Sequence, residues 1–156
     1  MSLERAKAYL KRFGLDNEVM EFDASSATVR EAAEAIDCKE EEIAKSLSFI
    51  VNDKPILIVA AGNRKIDNKK FKAEFSAKAK MIPFDMVEEL TGHAVGGVCP
   101  FGVNEDVAVY LDISLKGIGT VYPACGSSNS AIRLTVDKLE KITNSKKWVD
   151  VCRIIK

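Results

Sequence analysis

Three short stretches of this chain carry groups able to do chemistry. They are Lys45-Ser46 at the head of an apolar run, the loop Val95-Gly96-Gly97-Val98-Cys99-Pro100-Phe101-Gly102, and Tyr122-Pro123-Ala124-Cys125-Gly126-Ser127-Ser128-Asn129. A lysine leading into a buried strand must take its ammonium to solvent, to a partner or to an anionic ligand. For Lys45, snorkelling at the strand end and ligand contact are equally open from sequence. Gly96-Gly97 fits neither the P-loop nor the dinucleotide-binding fingerprint. The pair could instead present successive main-chain N–H groups to a carbonyl or phosphate oxygen, with Pro100 stiffening the loop. Gly126-Ser127-Ser128-Asn129 reads first as a turn and second as a pocket wall of hydroxyls and an amide. Seven of the nine glycines lie between residues 92 and 126, which marks backbone that turns tightly or approaches something closely.

Other chemistries are excluded by what the chain lacks. A single histidine, His93, cannot build a two-histidine acid/base pair or a His-rich metal site. It reads as a surface-turn residue ahead of a residue at a pocket entrance. The four cysteines, Cys38, Cys99, Cys125 and Cys152, form no C-x-x-C pair and read mostly as small apolar fillers or reduced thiols. No metal site is expected. The 156 residues hold 23 basic and 23 acidic side chains, so bulk charge cannot hold a polyanion and any nucleic-acid contact must be local. No apolar run reaches the roughly 18 residues of a membrane span, and the first residues lack a signal-peptide core, so a cytoplasmic location is expected.

The elements that would position these groups follow from periodicity. Leu3, Ala6, Leu10 and Phe13 with Gly14 predict a helix that docks on a core and does little else. Val19, Met20 and Phe22 suggest a short strand, and Thr28-Val29-Arg30-Glu31 a capping box opening a helix whose inner face is Val29, Ala32, Ala33 and Ile36. Leu47, Phe49 and Val51 form a hairpin with 56–61 through Asn52-Asp53-Lys54-Pro55; the second run is apolar without alternation and should be covered on both faces. Residues 67–73 and 85–90 read as short Asp-capped helices, 107–113, 119–122 and 131–134 as strands, 135–142 as a helix, and 148–155 as one closing strand. The order predicts one α/β domain around a mixed, strongly curved sheet, without the regular units of a doubly wound nucleotide fold.

Four motifs stand in order along the chain: Lys45-Ser46-Leu47 entering a strand, Gly92-His93-x-x-Gly96-Gly97-Val98-x-Pro100-Phe101-Gly102, Thr120-Val121-Tyr122 before a glycine turn, and Ile132-x-Leu134 followed by Leu139. Taken together they resemble the YbaK family, stand-alone relatives of the editing insertion domain of prolyl-tRNA synthetase. The resemblance runs over essentially the whole chain, 1–156, as one domain. It implies hydrolysis, in trans to the synthetase, of the ester joining a wrong small amino acid to tRNA. The implied partners are the acceptor end of mischarged tRNA and prolyl-tRNA synthetase, with no cofactor. By position, Lys45 corresponds to the family's essential lysine, which contacts the acceptor end, and Gly96 to Pro100 to the loop holding the aminoacyl group. The implied substrate-binding set is Ser46, Gly96, Gly97, Val98, Cys99, Pro100, Gly126, Ser127 and Asn129. The implied fold is α/β, a mixed, curved, barrel-like β-sheet flanked by helices.

An aminoacyl ester is already activated, so orientation, a bound water and donors aimed at the developing oxyanion can suffice without a protein nucleophile. Cys99 is therefore not read as a nucleophile. Members acting on cysteinyl esters would carry Ser-Gly-Gly and then an Asp where this chain has Ala124-Cys125-Gly126 and Ala131; these departures count against a cysteinyl ester on tRNA(Pro) and leave alanyl, seryl or another small aminoacyl ester open. Two other functions stand beside this one: a non-catalytic module binding aminoacyl-tRNA or a synthetase, and a small-molecule enzyme using Lys45 as an amine nucleophile.

Charge is neutral only in total. Residues 16–42 carry −8 and 81–115 carry −6, against +5 over 64–80 and +5 over 116–156. Arg64, Lys65, Lys69, Lys70, Lys72, Lys78 and Lys80 make the candidate phosphate-contacting face, with a solvated helix face as the alternative.

Overall fold

Local capping chemistry sets several helix boundaries in the computed structural model, which describes residues 2–155. Helix α1 (Ser2–Lys11) stops before Gly14, whose φ of 72° turns the chain. Helix α2 (Val29–Ile36) opens on the predicted box: Glu31 N–H donates to Thr28 Oγ1 at 3.1 Å, and Thr28 N–H to the Glu31 carboxylate at 3.3 Å. Such a cap contributes about 1 kcal/mol. Helix α3 (Asn68–Phe75) is capped by the Asp67 carboxylate, which accepts from Lys69 and Lys70 N–H at 3.0 and 3.1 Å. Helix α4 (Val87–Thr91) differs from expectation, because Asp85 caps nothing and lies inside a 3-10 turn, Phe84–Met86, that leads into the helix. Helix α5 (Val136–Thr143) takes Thr135 as its cap, accepting from Lys138 N–H at 3.1 Å.

The strands in chain order are β1 (Met20–Glu21), β2 (Ile43–Val51), β3 (Lys54–Ala61), β4 (Arg64–Ile66) and β5 (Ala108–Asp112). They continue with β6 (Thr120–Pro123), β7 (Ser130–Ala131), β8 (Leu134–Thr135), β9 (Trp148–Val149) and β10 (Cys152–Ile154). Six form one curled half-barrel sheet in the order β8-β6-β2-β3-β5-β9. It is mixed, with β2-β3 and β6-β8 antiparallel and β2-β6, β3-β5 and β5-β9 parallel. The β2-β3 hairpin turns on Asn52 and Asp53, both at positive φ (52° and 65°), which is the two-residue geometry that matches strand twist. Pro55, predicted in the connection, instead belongs to β3 opposite Ile50.

Strand β3 is covered on both faces, as its unbroken apolar run predicts. Leu57, Val59 and Ala61 pack with Ala6 and Leu10 of α1 and with Leu139 and Ile142 of α5. Ile56, Ile58 and Ala60 pack on the other side with Phe49, Phe71, Val149 and Val151. Each large side chain buried there contributes about 1.5 to 3 kcal/mol.

Two predicted strands are each split between sheets. Residues 148–155 divide into β9, in the main sheet, and β10, which pairs with β4 in a separate ribbon. The buried Asp112 carboxylate makes that break possible, accepting from Val151 N–H at 2.9 Å where the ladder has ended. Residues 131–134 likewise divide into β7, paired with β1, and β8, paired with β6. No helix among the described residues is long and apolar enough to cross a membrane.

Candidate functional site at the open edge of β2

One edge of β2 is paired at both ends and open in the middle. At its start, Ile43 and Ala44 lie beside Tyr122 and Pro123 of β6. At its end, Ile50 N–H donates to the Lys80 carbonyl at 2.9 Å and Ile82 N–H to the Ser48 carbonyl at 3.2 Å. Alternate residues of a strand direct their main-chain groups to the same edge, so Ser46 shares this edge with Ser48 and Ile50. Its N–H and C=O therefore face the gap. A cleft of about 360 Å³ opens there, lined among others by Lys45, Ser46, Leu47, Gly96, Val98 and Tyr122. Ser46 Oγ is buried without a hydrogen-bond partner among the described residues.

Another wall is built from the capping turn of α2 and the Gly96-Gly97 loop, which is backed by the Gly126-Ser127 turn. Ala27 and Thr28 line the cleft beside Gly96, which sits at φ 90°. A Cβ on Gly96 would reach the Cβ atoms of Ala27 and Ser128 at 3.4 Å each. A Cβ on Gly97 would collide with the main chain of Gly126 and Ser127, and one on Gly126 (φ 92°) with the carbonyl of Ser2. The glycines thus let three layers touch backbone to backbone: the Gly96-Gly97 loop, the Gly126-Ser127 turn and the start of α1.

The predicted site residues separate accordingly. Lys45, Ser46, Gly96 and Val98 come together on the cleft, whereas Gly97, Cys99, Pro100, Gly126, Ser127 and Asn129 are not among the lining residues. Gly97 N–H is committed to the Ala94 carbonyl at 3.0 Å, so the expected run of presented N–H groups is broken at that residue. Ser127 Oγ lies 2.7 Å from Ser130 Oγ and 3.0 Å from Asn129 Oδ1, and Asn129 Nδ2 donates to the Phe22 carbonyl at 2.9 Å. Those hydroxyls and that amide hold the turn in place.

Lys45 Nζ donates to the Gly62 carbonyl at 3.3 Å and to the Arg64 carbonyl. Burial lowers its pKa, and the nearby Cys152 thiol partly offsets this. An ammonium has three N–H donors, and two of them hold the β3-β4 turn.

His93 is fully buried, which corrects the surface-turn reading. Its Nε2 lies 2.6 Å from the Phe101 carbonyl, which can only accept, so Nε2 carries the proton and Nδ1 accepts from Ser2 Oγ at 2.7 Å. Burial, first, and the Arg5 charge lower its pKa, against the hydrogen bond to the Phe101 carbonyl, which raises it. Helix α1 therefore does more than dock: Ser2 and Arg5 tie down residues 93–104, Arg5 Nη2 also donating to Asn104 Oδ1 at 2.7 Å. Cys99 is fully buried and its thiol is pushed up to about 12 by desolvation, which disqualifies it as a nucleophile. Burial raises Cys125 as well and pushes Cys152 up to about 12.

The basic run is divided among elements. Lys65 stands directly across from Arg153 in the β4-β10 ribbon, both exposed, and Lys70 is paired with Asp150 at 3.1 Å. Like charges facing each other across strands destabilise the pair unless an anion lies over them.

Residues 23–142 match the family described as the aminoacyl-tRNA editing domain. This chain belongs to that family. The editing domain is 53% identical over 98% of its length to the "Uncharacterized protein YwhH" of Bacillus subtilis, covering 98% of that protein. It is 27% identical to the "Putative Cys-tRNA(Pro)/Cys-tRNA(Cys) deacylase EbsC" of Enterococcus faecalis, over 73% of this chain and 71% of that one. Among solved structures, a "putative trans-editing enzyme for prolyl tRNA synthetase" superposes with a TM-score of 0.87 at 31% identity, covering 97% of each chain.

Sequence reasoning missed part of the editing domain's cleft. Thr28 was read only as a cap, and Tyr122 and Val95 were named in the candidate stretches but not in the binding set, yet all three line it, as do Met81 and Phe84 at its mouth. Phe84 carried a readable signal: an isolated aromatic between Pro83 and Asp85, outside any amphipathic pattern.

Proposed function

We propose that this editing domain is a trans-acting deacylase that hydrolyses the ester between a small amino acid and the 3′ end of a mischarged tRNA. The observation that carries this reading is the open edge of β2, where Lys45, Ser46 and the Gly96 turn line one cleft. Water attacks the ester carbonyl carbon, the bond from that carbon to the ribose oxygen breaks, and a proton passes to that oxygen. The products are the free amino acid and an uncharged tRNA.

Among the described residues, the cleft lining contains no carboxylate, imidazole or thiol. The protein's part is therefore to orient the ester and to place donors on the developing oxyanion, with the substrate's own ribose hydroxyl or amine assisting the water. Lys45, held by two carbonyls, positions the acceptor end. Val98, Ala124 and Ala131 give the cleft an apolar side suited to an alanyl, cysteinyl or seryl group. The partner is mischarged tRNA, tRNA(Pro) first, with prolyl-tRNA synthetase supplying it in the cytoplasm.

The lack of a carboxylate, imidazole or thiol among the described lining residues also favours a second reading, a module that binds aminoacyl-tRNA without hydrolysing it. Release of amino acid from Ala-, Cys- and Ser-charged tRNA(Pro), tRNA(Ala) and tRNA(Cys) separates the two. At least one ester is expected to be cleaved and Lys45→Ala to abolish cleavage. Binding without turnover supports the module, and neither binding nor turnover sinks both.

A further inference from the structure

Phe84 is 77% exposed at the mouth of the cleft, more than any other large apolar side chain among the described residues. Met81 (60%) and Val95 (42%) complete an apolar rim. The ring is not displayed on a loose loop. Ile82, buried and bonded to Ser48 of β2, precedes it, and Val87, buried at the start of α4, follows it. Pro83 and the 3-10 turn Phe84–Met86 fix the backbone between these two anchors. A fold that anchors both sides of an aromatic and leaves its face in water has kept that face for a ligand.

The chemistry of the proposed substrate says which ligand. An aminoacyl ester sits on the same ribose that bears the terminal nucleobase, so a cleft that takes the aminoacyl group leaves the base at its mouth. The charges around Phe84 fit a base better than a phosphate. Asp85, Glu88 and Glu89 are exposed on the same turn and the helix after it, and they repel a phosphate. Lys80, beside Met81, and Lys45 supply the cations on the strand side of the cleft. A flat, uncharged base between those two sets of charges meets the ring.

We propose that Phe84, backed by Met81, is a stacking platform for the 3′-terminal nucleobase of the acceptor strand. The proposal rests on the aminoacyl-tRNA reading and deepens it. Stacking is tolerant of base identity because every base has a π face. The platform therefore supplies affinity for the acceptor end of any tRNA and leaves amino-acid choice to the cleft.

The test uses an acceptor-stem RNA hairpin with 2-aminopurine as its terminal base and an amide-linked alanyl group, which binds without turning over. Wild-type protein is expected to quench the fluorophore as the base stacks. Phe84→Ala is expected to abolish the quench and to weaken binding by between about fivefold and about 150-fold, the range for one lost base–aromatic stack. Phe84→Trp is expected to keep both. Since the side chain is exposed, the variants are expected to fold, which circular dichroism checks. Binding and quenching by Phe84→Ala equal to wild type overturn the platform and leave the aminoacyl-tRNA reading standing. So does a change of oligomeric state in Phe84→Ala with RNA affinity retained, which assigns the rim to a second copy of the chain. Failure of the wild type to bind the hairpin removes both.

Discussion

Gly97→Ala isolates the contact on which the cleft wall depends. Gly97 has no positive φ, so a methyl group there brings no backbone strain and acts only through space. That space is occupied by main-chain atoms of Gly126 and Ser127, which cannot rotate away as a side chain could. Carbon atoms rest about 3.5 to 4 Å apart, so the two loops must separate by about 1 Å. Overpacking of this kind costs about 1 to 3 kcal/mol. In a domain of this size that lowers Tm by about 2 to 4 °C per kcal/mol. The same displacement carries Gly96 and Val98 away from the open edge of β2, and a 1 Å misplacement of a positioning group costs about 100-fold in rate. Thermal unfolding and kcat/KM on mischarged tRNA would be measured beside Gly117→Ala. That control position carries a φ of 86° but has nothing within 4 Å of a new methyl and does not line the cleft, so its variant pays only backbone strain. Wild-type stability and rate in Gly97→Ala would refute the layered wall.

Two further predictions concern pH and salt. The pKa of His93 is lowered on folding, so the unfolded chain binds the proton more readily; stability is complete above about pH 6.5 and falls as pH drops below it. His93→Gln should flatten that acid limb in urea titrations and lose about 1 to 3 kcal/mol at neutral pH, because it disturbs the buried partners Ser2 and Phe101. At the ribbon, Lys65→Glu should stabilise the free protein by pairing with Arg153, while weakening tRNA binding and lowering the salt slope by about 1 per lost phosphate contact. A slope unchanged from wild type would show that no phosphate lies there.

Much of the scaffold was legible because its determinants are local. The capping box at Thr28, the Asp67 cap and the Asn52-Asp53 turn each act within a few residues, and the structure contains all three. Asp85 failed as a cap because Pro83 starts a 3-10 turn before the helix can begin. The closing segment failed as one strand because alternation within a segment cannot report a change of sheet at Asp150.

By itself the sequence determined most of the element order, though not β4 or the two divided strands, and the doubly covered β3. These properties travel with the residues wherever the chain places them. Only the tertiary structure decided that β6 leaves β2 after Ala44 and that residues 80–82 arrive at Ser48, and the gap between them opens the candidate site. Tertiary structure also decided that Ser2 reaches across to bury His93, and that Lys65 meets Arg153. An unpaired edge, a buried hydrogen bond and a cross-strand repulsion are relations between segments distant in the chain, and no local pattern of side chains encodes them.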